Sequence, residues 1–207
     1  MEEIILASGS PRRKELLTLI GVPFKVIKSD AREVITKTEP GEIVMELSMQ
    51  KALDVCRQVR EGRAGTEQPA GGQPEEKAFP TTILGADTIV CLDGQVLGKP
   101  ADRADAKRML QALQGRTHSV FTGVTLLDSR KEMTGRSFYR ETKVMVHAMS
   151  EEEIEAYLDT GEPFDKAGAY GIQGAFAAYV DGIEGDYMNV VGLPVSAVYQ
   201  ALKEMDS

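Results

Sequence analysis

The chain is poor in cysteine, in long apolar runs and in basic charge. Its 207 residues contain two cysteines, Cys56 and Cys91, far apart and without C-x-x-C spacing. That usage points to buried reduced thiols over a disulfide framework or a cysteine zinc site. No apolar run approaches the roughly 20 residues that a membrane span needs. The N-terminal MEEIILASGS carries acids where a secretory signal carries bases. A cytoplasmic protein with no membrane partner is expected. Lys and Arg number 24 against 32 Asp and Glu, a net charge of −8, so the surface repels a polyanion and broad nucleic-acid binding is excluded. His118 and His147 have no partner at metal-ligand or triad spacing, and no G-x-S-x-G elbow exists. Serine-type hydrolysis is therefore disfavoured and both histidines read as structural.

What is present alternates between strand and helix patterns. EIILAS is short, apolar and β-branched, and runs into an SGSPRR turn. A helix follows, with Ser10 as N-cap, Pro11 at the first helical position, an apolar stripe of Leu16, Leu17, Leu19 and Ile20, and Gly21 as its stop. FKVIKSD reads as a second strand, and helical spacing returns from Pro40 to Arg60. Residues 60–80 lose all periodicity and are dense in Gly, Pro, Glu and Gln, so they are expected to be a mobile surface loop. TTILGADTIVCLDGQVLGKP reads as a long buried strand, a turn at Asp93-Gly94 and a returning strand. Asp102 with Asp105 predicts a capped helix, Ser150 with Glu153 another, and two strands lie between them. DYMNVVGL is expected to be a strand, and a last helix begins near Pro194. The pattern predicts an α/β fold with a mixed twisted sheet, flanking helices, and two lobes with a groove between them.

Three stretches carry candidate chemistry. In LASGSPRRKELL, Arg12 and Arg13 occupy the first turn of a helix, where each costs roughly 0.3–1 kcal/mol against the helix dipole. A bound phosphate chain would remove that penalty, since a Gly/Ser loop, helix N–H groups and two guanidiniums suit an anion. Outward-pointing arginines paired with surface acids are the other reading. The stretch lacks the G-K-[ST] of a P-loop. Asp87 sits in ILGADTIV among residues of a buried strand, so it needs a cation, a metal or a proton, unless it is a strand-end acid bonded to backbone. Lys99 supplies a cation near the returning strand, or is an exposed turn lysine. DKAGAYGIQG places Asp165 and Lys166 before three glycines that permit close backbone approach, and Gln173 there offers both donor and acceptor to a base edge.

Together and in this order, LASGSPRRKELL, GADTIVCLDGQVLGKP and DKAGAYGIQG resemble the Maf family of nucleoside triphosphate pyrophosphatases, named for septum formation. The similarity spans nearly the whole chain as one domain, 1–207, with an insertion at about 61–79. It implies a fold like that of the inosine triphosphate pyrophosphatases and cleavage of the α–β phosphoanhydride of a nucleoside triphosphate with Mg²⁺ or Mn²⁺. By the same resemblance Asp87 is the proton acceptor and Glu33 with Asp87 ligates the metal. Ser8, Arg12, Arg13, Lys51 and Lys99 hold phosphates or neutralise charge, and Asp165 and Lys166 complete the cleft. Arg12, Thr88 and Gln173 match the branch acting on dTTP, UTP and modified pyrimidine triphosphates. The alternatives are a 7-methyl-GTP pyrophosphatase and a septum-formation regulator acting by protein binding. A homodimer is implied by family likeness alone.

Overall fold

The computed structural model describes residues 1–62, 82–129 and 135–205. Beyond Gly62, the expected insertion at 61–79 lies outside the described residues. One seven-stranded sheet forms the frame. Its strands are β1 (Ile4–Leu6), β2 (Phe24–Val26), β3 (Thr82–Leu92), β4 (Gln95–Leu97), β5 (Thr117–Asp128), β6 (Gly135–Val146) and β7 (Val180–Glu184). The order is β2-β1-β3-β5-β6-β7, with β4 paired to β3. β2, β1 and β3 run parallel, and β3, β5, β6 and β7 antiparallel. This is the mixed sheet that helices between early strands and hairpins between later ones require.

The helices are α1 (Pro11–Leu19), α2 (Pro40–Arg60), α3 (Arg103–Leu113), α4 (Glu151–Asp159), α5 (Tyr187–Val191) and α6 (Val195–Met205). Alternation along the strands sends side chains to two cores. On one face Ile4, Leu6, Leu84, Ala86 and Val90 pack with apolar residues of α1, α3, α4, α5 and α6. On the other, Ile5, Ile83 and Ile89 meet α2 through Ala52, Val55, Val44 and Leu47. Both cysteines are buried and unbridged, and burial pushes the Cys91 thiol up.

Two glycines let α2 lie directly on the sheet. A Cβ at Gly85 of β3 would come 2.2 Å from the Ser48 carbonyl oxygen, and one at Gly123 of β5 would come 2.3 Å from the Val44 carbonyl carbon. No side chain fits between helix and strands at either point. The Asp93-Gly94 turn forms as expected, with φ of 51° and 77°, values that suit Asp and Gly in a two-residue hairpin.

Several expectations are corrected. DYMNVVGL is not a strand: Asp186 caps the helix α5 by accepting from the Met188 N–H at 2.8 Å, and β7 lies earlier, at Val180–Glu184. Asn189 in that stretch is fully buried; from a helix turn its Nδ2 donates to β5 and β6, while its Oδ1 has no partner among the described residues. Ser10 makes no side-chain cap; Ser8 Oγ accepts its backbone N–H instead, at 3.3 Å. Leu19 is 66% exposed and does not join the buried Leu16 and Leu17. Asp102 caps α3 through the Asp105 N–H, but the Asp105 carboxylate accepts from Ala101, so the reciprocal box is left open. The box closes fully at Ser150 and Glu153.

Candidate active site

β1 reaches β3 only as far as Leu84, and β4 joins β3 from Val90. Residues 85–89 therefore have no strand neighbour on that edge among the described residues. A cleft of about 1000 Å³ opens there. It lies beyond the end of β1, where the chain turns into the N-terminus of α1, the position that open α/β sheets use for ligands. Ser8, Arg12, Arg13, Glu33, Lys51, Asp87, Thr88, Lys99, Asp165, Lys166 and Gln173 all line it. The structure thus brings every candidate from the sequence to one cavity.

Asp87 and Thr88 are consecutive on β3 and so point to opposite faces of the sheet. On the α2 face, the Lys51 ammonium bonds Asp87 Oδ1 and sits 2.9 Å from Glu33 Oε1. Two carboxylates from distant segments converge on one cation. Asp87 is mostly buried, at 13% side-chain exposure, whereas Glu33 is open at 52%. The close seat of α2 over Gly85 and Gly123 makes this reach possible.

On the opposite face, Arg13 is buried and shares three donors with the protein. Its Nε donates to the Gly192 carbonyl at 2.9 Å, Nη1 to Ser8 Oγ at 3.0 Å and Nη2 to Thr88 Oγ1 at 3.0 Å. Burial lowers its pKa, against the raising effect of the Asp87 charge. The surface ion pair weighed for Arg13 from sequence is thereby corrected, because its guanidinium turns inward. Two N–H groups of the five stay available to a phosphate. The chain of hydroxyls behind it has a direction. Thr122 Oγ1 donates to the Asn189 carbonyl at 2.9 Å and lies 2.9 Å from Thr88 Oγ1. One proton per hydroxyl then makes Thr88 the donor to Thr122 and the acceptor from Arg13. Asn189 is fixed in turn by its amide, which donates to the Val120 carbonyl and to Thr142 Oγ1, both at 3.0 Å.

Thr122, Asn189 and the Gly192 carbonyl were not found by sequence reasoning. A threonine and an asparagine inside apolar runs were the available signal, because a buried polar side chain needs partners.

Arg12 and Lys99 line the cleft with no hydrogen bond or ion pair among the described residues. Lys166 is occupied: its ammonium donates to the Glu162 carbonyl and to Asp165 Oδ1, both at 2.7 Å. That bond, and more weakly the Arg12 charge, holds the Asp165 carboxyl below the usual range. The glycine-rich loop is anchored from beneath. Tyr170 stacks 4.5 Å from Phe176, its hydroxyl meets His118 Nε2 at 2.7 Å, and Tyr157 Oη accepts the Gly171 N–H at 3.2 Å. The Gly168 N–H donates to the Gly98 carbonyl at 3.0 Å, tying this loop to the turn that carries Lys99. Gln173 stands exposed at its tip.

The donor set is hard oxygen from two carboxylates that already share a cation, which suits Mg²⁺ or Mn²⁺ completed by phosphate oxygens and water. No cluster of three or more His, Cys, Asp or Glu exists among the described residues.

The sequence profile of the family described as Maf-like protein matches residues 3–205. A protein of Agathobacter rectalis named dTTP/UTP pyrophosphatase is 50% identical over 209 residues, covering 99% of this chain and 98% of that one. One of the same name from Bacillus cytotoxicus is 47% identical over 208 residues, covering 100% and 97%. A HAM1 protein structure from Coxiella burnetii aligns with TM-score 0.45 at 18% identity, over 70% of this chain and 73% of that chain. A profile match over nearly every residue and near-half identity over full lengths agree: the chain belongs to the Maf-like protein family.

Proposed function

We propose that this protein is a nucleoside triphosphate pyrophosphatase that hydrolyses dTTP and UTP, and modified pyrimidine triphosphates, to monophosphate and pyrophosphate with a divalent metal. The observation that carries the reading is the convergence of Glu33 and Asp87 on the Lys51 ammonium in a cleft that Arg12 and Lys99 also line, neither with a hydrogen bond or ion pair among the described residues. A triphosphate supplies phosphate oxygens as bonding partners for both side chains. The shared name of the two relatives supports the choice of substrate.

In this mechanism Ser8, Arg12 and Arg13 grip the phosphate chain at the start of α1, where the helix N–H groups add their own attraction. Lys51 and Lys99 offset charge as it shifts onto the leaving pyrophosphate. A water held in line with the α-phosphorus attacks it, Asp87 accepts the water proton, and the bond to the bridging oxygen breaks with its electrons going to pyrophosphate. Glu33 and Asp87 would hold the metal, which when bound supplies Lewis-acid neutralisation of the phosphate oxygens. Thr88 and Gln173, with Arg12, define the base end of the cleft. Helices long and apolar enough to cross a membrane are absent among the described residues.

The test is product analysis over a panel of triphosphates, 7-methyl-GTP included, with Mg²⁺ or Mn²⁺. Monophosphate and pyrophosphate from dTTP and UTP bear out the reading. Turnover confined to 7-methyl-GTP overturns the specificity, and no hydrolysis of any member leaves the protein-binding regulator as the account to pursue.

A further inference from the structure

Glu33 lies on a segment that has no helix or strand from residue 27 to 39. It also has little burial to hold it, since Val34 is 52% and Ile35 54% exposed. What fixes this segment is one face of α2. Glu46, Gln50 and Asp54 recur every four residues and so stack along the helix. Asp54 Oδ2 accepts from the Asp30 N–H and from Ser29 Oγ, both at 2.9 Å. Glu46 accepts from the Thr36 N–H at 2.8 Å and from its hydroxyl at 2.5 Å, which holds the Glu46 carboxyl below its ordinary range.

Gln50 does something neither acid can. Its Oε1 accepts the Val34 N–H at 3.0 Å while its Nε2 donates to the Val34 carbonyl at 2.5 Å. The side-chain amide thus completes one rung of a β-ladder for a segment that has no strand partner. Val34 directly follows Glu33, and Gln50 directly precedes Lys51, whose ammonium meets the Glu33 carboxylate at 2.9 Å.

We infer that Gln50 is a positioning residue that sets the Glu33 carboxylate against Asp87 by clamping the backbone of Val34. This rests on the reading of Glu33 as a metal-holding residue. Gln50 itself does not touch the cation; it acts through the next residue of the clamped chain. An outer partner that orients a ligand typically governs about 10–100-fold in metal affinity.

The test compares wild type with Gln50→Met, which keeps length and helix propensity but neither polar atom, with Gln50→Glu, which keeps only the acceptor, and with Glu33→Gln alone and combined with Gln50→Met. Mn²⁺ binding is read directly from the electron paramagnetic resonance of free Mn²⁺, in the presence of α,β-imido-dUTP, and hydrogen exchange is followed at the Val34 amide. Gln50→Met should weaken Mn²⁺ binding about tenfold and speed Val34 exchange, with Gln50→Glu between it and wild type. The double variant should bind no worse than Glu33→Gln, because Gln50 acts through Glu33. Unchanged Mn²⁺ binding in Gln50→Met, or additive losses in the double variant, overturns the inference while leaving the role of Glu33 intact. Wild-type Mn²⁺ binding in Glu33→Gln removes that role, and with it the target assigned to Gln50.

Discussion

Asp87 on β3 stands directly opposite Gly123 on β5, and the space above Gly123 is filled by the backbone of α2 at Val44. The catalytic candidate and the glycine are parts of one arrangement, because only a helix seated this closely can extend Lys51 to Asp87.

Gly123→Ala should therefore act twice. A methyl group 2.3 Å from the Val44 carbonyl carbon forces helix and sheet apart, at a cost of about 1–3 kcal/mol typical of overpacking. It also draws Lys51 from Asp87. A lowered urea midpoint together with reduced kcat/KM for dTTP is expected, and a variant equal to wild type in both measurements contradicts the packing argument.

Arg13→Lys keeps the charge and loses the geometry. An ammonium on a shorter reach cannot serve the Gly192 carbonyl, Ser8 and Thr88 together. At least one buried acceptor loses its donor, a loss of about 1–3 kcal/mol. Thermal unfolding should show a lower Tm. Steady-state kinetics should show a raised KM for dTTP, since the residues gripping phosphate shift with it. An unaltered Tm argues that the inward bonds are dispensable.

Much of this site was visible beforehand, and the reasons differ by residue. Arg12 and Arg13 violated the helix dipole and Asp87 violated strand burial, so each conflict between local rule and residue type marked a residue that the fold brings to one cleft. Gly21 and the Asp93-Gly94 turn were legible because a positive φ restricts residue choice so strongly. The α5 segment was misread because DYMNVVGL carries β-branched residues at a density that suits a strand, and only tertiary partners for Asn189 decide for the helix. Sequence also left open that the two arginines divide, Arg13 turning into the protein and Arg12 facing the cleft. That division depends on the Gly192 carbonyl, which arrives from 179 residues away.

Thr122→Val tests the hydroxyl chain. It removes the donor to the Asn189 carbonyl and the acceptor for Thr88, with nearly unchanged volume. A loss of about 1–2 kcal/mol is expected. Thr88 then keeps its bond from Arg13 but loses its own acceptor, so discrimination between dTTP and a purine triphosphate should narrow. Kinetics on both substrates decide it, and full retention of the wild-type ratio speaks against any role of this chain in specificity.

His118 supplies a pH dependence of stability. Burial pulls its pKa down to about 4 from 6.5, and its Nδ1 has no partner among the described residues. Below pH 6.5 the unfolded chain binds a proton that folded His118 refuses until about pH 4. The histidine's contribution is whole above 6.5 and is lost as pH falls through that window, by up to roughly 3 kcal/mol. Urea unfolding at several pH values should show this slope. His118→Gln, which keeps a partner for the Tyr170 hydroxyl, should flatten it, and an identical slope in the variant assigns the dependence to other groups.

The most direct measurement is the rate of pyrophosphate release from dTTP with Mn²⁺ by wild type and by Asp87→Asn, alongside binding of α,β-imido-dUTP to each. Asparagine keeps the shape at the open stretch of β3 but does not accept the water proton. The account predicts that turnover falls at least about a hundredfold, within the range for loss of a general base, while the analogue still binds. Turnover within a few-fold of wild type would contradict the assignment of Asp87 as the proton acceptor.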